Sequence, residues 1–163
     1  KTVDKHDVVD TLRSAALAHK KWTANALALI EGVPLDKAQV PVNSTECEFG
    51  KWYYSDGQNL RDLPGFKEIE EMHDGLHKTY MEIFVLLFGE VENKTSFFGR
   101  LFGRSHKVAN ANREAAMKKY HILENRSDTI IKQLVQLERV VMAMGDEQLH
   151  RYVLTEQPAF HIH

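Results

Sequence analysis

Two histidines, His73 and His77, lie four residues apart in a segment with a strong helical pattern. Residues at this spacing lie one above the other on one face of a helix, with Cβ atoms about 5–6 Å apart. Two imidazoles placed in this way can bind one cation, because zinc–nitrogen bonds to histidine are about 2.0–2.1 Å long. The spacing alone is a weak signal, since a chain of 163 residues with nine histidines contains such a pair readily by chance.

The surroundings of this histidine pair strengthen the metal-binding hypothesis. Both residues fall on the apolar side of their helix, in register with Ile69 and Tyr80. A polar ring on that side needs a buried partner. Gly75 lies between the two histidines, inside a helix, where glycine costs roughly 1 kcal/mol relative to alanine. Its bare backbone predicts that another segment approaches closely at this point.

Two further residues could complete a set of four ligands. His19 falls on the apolar face of the first predicted helix with Leu12 and Ala16, so we expect its side chain to point into the domain. Cys47 is the only cysteine and therefore cannot form a disulfide within the chain. One thiolate and three imidazoles form a stable tetrahedral set for zinc. The alternative is that all four are hydrogen-bonded core residues.

Long amphipathic segments predict the elements that position these residues. Apolar residues recur at intervals of three or four over about 3–31 and 66–88, and the second segment begins after Pro64 and Gly65. Residues 105–144 contain neither glycine nor proline and predict one long helix, or two with a kink near 124–128.

The apolar stripe predicted for the long helix includes Ile122, Ile130 and Leu134. Residues 33–46 predict a loop, and 46–54 a loop or a short helix. We therefore predict an all-α, antiparallel four-helix-bundle-like domain with a long C-terminal helix. It is expected to span residues 1–145, with a C-terminal tail at 146–163.

The composition argues against several classes of function. The 21 basic and 23 acidic residues give a net charge of −2, whereas proteins that coat nucleic acids or bind membranes through basic patches need a positive surplus. The longest apolar run, 83–88, is far shorter than the roughly 20 residues that span a bilayer. We therefore expect neither a nucleic-acid partner nor a membrane span.

Three linked motifs resemble the signature of the chemoreceptor zinc-binding (CZB) domain family. The family pattern is H-x-x-W, then C-x-F/L-G-x-W, then H-x-x-x-H, and the matching segments are His19-Lys20-Lys21-Trp22, Cys47-Glu48-Phe49-Gly50-Lys51-Trp52 and His73-Asp74-Gly75-Leu76-His77. The resemblance extends over about residues 5–145. It implies a helical bundle, usually a homodimer, with one zinc ion per subunit. The implied ligands are His19, Cys47, His73 and His77.

The resemblance also implies a role in bacterial signalling rather than catalysis. Family members are cytoplasmic and are mostly regulatory parts of chemoreceptors or diguanylate cyclases, in which zinc occupancy alters the output. The chain departs from the family pattern in the aromatic and basic loop Gly89–Arg104, which is longer than usual. This difference bears on the loop and on the dimer surface rather than on the ligands.

Two alternative functions compete with the zinc-sensor hypothesis. A zinc hydrolase keeps one coordination position for water beside a carboxylate base, whereas four protein ligands would close the site. A hemerythrin-like di-iron bundle needs bridging carboxylates, but the residues four positions after His77 and His19 are Met81 and Thr23. Neither pattern is met.

Other residues near the motifs carry weaker expectations. Trp22 and Trp52 are expected to form an apolar shell that limits water at the site. Glu70 and Asp74 could accept the second imidazole N–H or simply lie on a solvated face. The remaining histidines of the C-terminal half are interpreted as surface or tail residues, namely His106, His121, His150, His161 and His163.

Overall fold

The computed structural model describes residues 4–36, 39–89 and 110–152 and shows only helices and loops there. The main elements are α1 (Lys5–Ile30), α2 (Glu48–Tyr53), a 3₁₀ helix (Asp56–Leu60), α3 (Phe66–Phe88) and α4 (Asn110–Ala143). The predicted all-α class is confirmed. Three helices are long, and the short α2 forms at the segment for which a loop or a short helix was predicted.

Helix ends follow local capping and glycine signals. The Asp4 carboxylate caps α1 by accepting a hydrogen bond from the backbone N–H of His6. Gly65 and Gly89 flank α3 with φ angles of 90° and 82°, a left-handed conformation that favours glycine. The predicted start and stop signals of this helix are therefore confirmed.

Helix α4 runs antiparallel to α1 and packs along it. Near one end, the Arg13 guanidinium contacts the Glu138 carboxylate at 3.1 Å. Further along, the Thr23 hydroxyl donates to the Ser127 hydroxyl at 3.0 Å, in a buried position. These pairs fix the register between the two helices.

Helix α4 is also antiparallel to α3, so α1 and α3 run parallel to each other. Lys119 lies 3.4 Å from Glu82. The Arg126 guanidinium donates to the carbonyl of Gly75 and to the Thr79 hydroxyl, both at 2.8 Å. The close approach predicted at Gly75 is therefore confirmed, because a Cβ atom there would lie only 3.3 Å from Arg126 Nη1.

The buried face of α4 has a regular repeat that differs in part from the prediction. Its buried residues alternate at intervals of four and three, and they are Ala116, Tyr120, Leu123, Ser127, Ile130, Leu134, Leu137 and Val141. The helix continues without a break through 124–128, so no second helix begins there. The placement of Ile122 in the core was wrong, since its side chain is 48% exposed while Leu123 is fully buried. Two adjacent apolar residues differ by about 100° around a helix, and only the packing against α1 and α3 decides which one faces inward.

The C-terminal region begins with a short helix at 146–152, in which Leu149 is buried against the core. The predicted boundary at residue 145 stays a prediction. Most of the loop Gly89–Arg104 lies outside the described residues, as do His106 and residues 153–163. Within the described ranges, no helix combines the length and apolar character needed to cross a membrane.

Candidate metal centre

The structure brings together the four residues that the motifs single out. His19 lies on α1, Cys47 lies just before α2, and His73 and His77 lie on α3. One donor atom from each residue lies within 4.8 Å of the other three. All four side chains are buried, with exposed fractions between 1% and 6%. Three separate segments therefore direct one sulfur and three nitrogen donors toward a common point.

The hydrogen bond made by His77 identifies which of its nitrogens is free. Its Nδ1 lies 2.8 Å from the backbone carbonyl oxygen of Val42. A carbonyl oxygen only accepts, so Nδ1 must carry the proton, and Nε2 keeps its lone pair. Nε2 is buried and has no hydrogen-bond partner in the described part of the chain. This is the arrangement of a metal-binding imidazole whose other nitrogen donates to a carbonyl.

His73 and Cys47 already lie at a separation that suits a shared metal ion. The distance from His73 Nε2 to Cys47 Sγ is 3.2 Å. Zinc bonds of about 2.0–2.1 Å to nitrogen and 2.3 Å to sulfur place tetrahedral ligand atoms roughly 3.3–3.6 Å apart. Both ring nitrogens of His19 are also buried without a partner among the described residues. The donor set therefore fits a zinc ion, which would satisfy polar atoms that otherwise lack partners.

The position of Cys47 follows from the way α2 begins. Cys47 is the N-cap of this helix, and its Sγ accepts a hydrogen bond from the backbone N–H of Gly50 at 3.3 Å. Only glycine fits at position 50, because a Cβ atom there would overlap the carbonyl oxygen of Ser44. The tight contact between α2 and the preceding loop holds the sulfur in place.

Burial keeps the three imidazoles neutral. It lowers the pKa of His19 to about 4, and the nearby His77 adds to this shift. Burial, with smaller effects from His77 and His19, lowers the pKa of His73 to about 2. The pKa of His77 is also lowered by burial, against the opposing effect of its bond to Val42. Neutral imidazole is the form that binds metal ions.

Burial also favours the neutral form of the thiol, but it shifts the pKa of this group in the opposite direction. It raises the pKa of Cys47, although the backbone N–H groups at the start of α2 partly offset this. In the absence of a metal ion, Cys47 is therefore a neutral thiol at neutral pH. Metal binding requires the thiolate, so loading the site must release a proton.

Aromatic rings surround the donor atoms, as expected, but the two tryptophans differ. The Trp22 ring centroid lies 4.7 Å from that of His77, and Trp22 is 5% exposed. Trp52 is half-buried and packs on Phe49, whose ring lies 4.8 Å from His73. Phe49 was missed as part of the shell, although its place in the cysteine motif was a signal that could have identified it.

The acceptor beside His77 is a backbone carbonyl, whereas Glu70 and Asp74 lie on the solvated face. Both carboxylates are exposed, and Glu70 accepts a hydrogen bond from the Tyr54 hydroxyl at 3.0 Å. Val42 was not predicted as the acceptor, because a backbone carbonyl has no signal in the sequence. Of the other histidines, His121 is exposed and His150 is half-buried.

The fold and the donor set define a class of protein, namely a helical domain with a buried cluster of four donor residues that could hold a metal ion. Residues 19–84 match the family model of the chemoreceptor zinc-binding domain, so the resemblance expected from the three motifs is confirmed for this segment. The matched region contains all four candidate ligands. No curated protein and no solved structure shows a significant match to the chain.

Proposed function

We propose that the protein is a zinc-dependent sensory or regulatory domain rather than an enzyme. His19, Cys47, His73 and His77 hold one zinc ion through three nitrogens and one sulfur. The observation that carries this proposal is the convergence of four buried donor atoms within 4.8 Å of one another. The match of residues 19–84 to the chemoreceptor zinc-binding domain supports the same metal.

The donor set favours a structural or regulatory site over a catalytic one. Four protein ligands fill a tetrahedral zinc site, whereas catalytic zinc keeps one position for water. The carboxylates nearest in sequence to the histidine pair, Glu70, Glu71 and Asp74, are exposed. Among the described residues the cluster contains no carboxylate, which a di-iron carrier or a hydrolase would require.

The signal is a change in the attachment of the Cys47 segment to the rest of the domain. Its three partner ligands lie on long helices, whereas Cys47 follows a loop. With metal bound, the thiolate ties this loop to α1 and α3, and loss of the metal frees it. Such a two-state segment can bias a larger equilibrium. We propose that the protein forms a cytoplasmic homodimer. The change at Cys47 alters this dimer, which is coupled to a chemoreceptor or diguanylate cyclase output module.

Removal of the thiolate tests the proposed site. Structural zinc sites bind with roughly 10–16 kcal/mol, so one of four ligands contributes about 3 kcal/mol, or about a hundredfold in affinity. We expect Cys47→Ala to weaken zinc binding by about this factor in a competition titration. Its helical circular dichroism should stay close to wild type, because the three long helices do not depend on this side chain.

The matched control is His121→Ala, which removes an exposed imidazole from α4. This variant should bind zinc like the wild type. An unchanged zinc affinity in Cys47→Ala would show that the four residues are not a zinc site. In that case they are core residues that merely lie together.

A further inference from the structure

Residues 39–47 form a strap that crosses the site and ends at Cys47. Two side chains from α1 hold the backbone of this strap. The Asn25 amide donates to the carbonyl of Gln39 at 3.2 Å. The Trp22 indole N–H donates to the carbonyl of Pro41 at 3.1 Å. The strap is therefore attached to α1 independently of any bond that Cys47 makes.

A third bond joins the strap to the donor set itself. His77 donates from Nδ1 to the carbonyl of Val42, the residue after Pro41. A metal ion on Nε2 would keep the proton on Nδ1 and so maintain this bond. The position of the strap and the coordination by His77 are therefore coupled. The carbonyl that accepts from Trp22, that of Pro41, is next in sequence to the carbonyl that accepts from His77.

A cavity of about 320 Å³ separates part of the strap from α1. Its lining includes His19 and Cys47 together with Trp22. It also includes the exposed side chains of Lys21 and Lys51, so it reaches the protein surface. Two of the four donor residues, although buried, thus line a cavity that opens to solvent on this side, directly beneath the attachment of the strap.

We propose that Trp22 is a positioning residue that controls how fast the metal leaves. Its indole N–H holds the strap, and therefore Cys47, in the closed position over the cavity. When this bond opens, the strap lifts, Cys47 moves away and the ion can exchange with solvent through the cavity. This inference rests on the proposed zinc site and adds a role for a residue that donates no ligand atom.

The test compares zinc release from two tryptophan variants. Trp22→Phe keeps an aromatic ring beside His77 but removes the N–H group. Trp52→Phe is the matched control, because the Trp52 indole makes no hydrogen bond in the part of the chain that the structure describes. Each variant is loaded with Zn²⁺ and mixed with excess EDTA and a chromophoric indicator. Loss of one hydrogen bond of about 1 kcal/mol predicts a release rate about fivefold faster for Trp22→Phe and unchanged for Trp52→Phe.

Two further measurements separate positioning from a loss of packing. The Co²⁺-loaded Trp22→Phe variant should keep the tetrahedral absorption bands and the thiolate charge-transfer band of the wild type, because its four ligands are intact. Asn25→Ala removes the other bond from α1 with little change in packing, and we expect it to release zinc faster as well. This second variant decides the matter if Trp22→Phe does not fold.

The possible results distinguish this inference from the proposed function. Equal release rates for wild type and Trp22→Phe would overturn the role of Trp22 and leave the zinc site in place. Equal acceleration in Trp22→Phe and Trp52→Phe would also overturn it, since packing would then be the cause. Failure of the wild type to bind one equivalent of zinc would overturn both proposals.

Discussion

Gly50→Ala tests whether the placement of Cys47 depends on the contact between α2 and the loop before it. The backbone N–H of Gly50 donates to the Cys47 sulfur. A Cβ atom at position 50 would overlap the carbonyl oxygen of Ser44 and lie 2.9 Å from its carbonyl carbon. It would also lie 3.2 Å from Thr45 Cα. These are backbone atoms, which cannot rotate away, so either the loop or α2 must move.

The required movement is large compared with the tolerance of a metal site. Metal–ligand distances are held within about 0.2 Å, whereas relief of an overlap with a backbone carbonyl needs a much larger displacement. Loss of the whole thiolate contribution would cost about 3 kcal/mol, or about a hundredfold in affinity. Because the loop can relax partly, we expect Gly50→Ala to weaken zinc binding by about 10- to 100-fold.

A zinc competition titration, with thermal unfolding of the metal-free protein alongside, checks this expectation. Gly145→Ala is the matched control, because nothing lies within 4 Å of a Cβ atom built at that position. It should bind zinc like the wild type. The reasoning would be refuted if Gly50→Ala also bound zinc with wild-type affinity, since Cys47 would then not depend on this contact.

Two further predictions concern stability. Acid should destabilise the metal-free protein: the pKa of His19 is about 4 when folded and near 6.5 when unfolded, so its contribution is lost as pH falls from 6.5 toward 4. Chemical unfolding at pH 7 and pH 5 should differ by on the order of 2 kcal/mol for this group, and a flat profile would contradict the burial of neutral imidazoles. Arg126→Met should cost about 2 kcal/mol, because it removes charged hydrogen bonds to Gly75 and Thr79; an equal loss in the exposed Arg139→Met would contradict this.

The positions of the three candidate histidine ligands were predictable because they follow from short-range periodicity. His73 and His77 face the core together, since four residues make about one helical turn. His19 follows the apolar stripe of α1 in the same way. The motif around Cys47 supplied the fourth residue, and its N-cap position agrees with the short helix that follows.

The parts that could not be predicted depend on the path of a loop. The acceptor for His77 is the carbonyl of Val42, and the acceptor for Trp22 is the carbonyl of Pro41. Every residue has a backbone carbonyl, so residue type does not mark the ones that will be used. The prediction that Ile122 faces the core was wrong for a related reason. Tertiary packing selects between adjacent apolar residues, and here it buries Leu123 instead.

Helix α4 supplies none of the four candidate donor residues, yet it determines whether their donor atoms can meet. Helices α1 and α3 pack chiefly against α4. The Thr23–Ser127 hydrogen bond fixes the position of α1 along the axis of α4, and the Arg126–Gly75 hydrogen bond fixes that of α3. With both helices held on one face of α4, the rings of His19 and His73 lie 5.0 Å apart. A metal ion at this point would join α1 directly to α3, and this cross-link would add to the ring contacts of Trp22 with His77 and Tyr80, at 4.7 and 5.2 Å. Its loss would leave their spacing to the packing on α4 and to these ring contacts, and we propose that this difference is the physical basis on which occupancy of the site changes the conformation of the bundle.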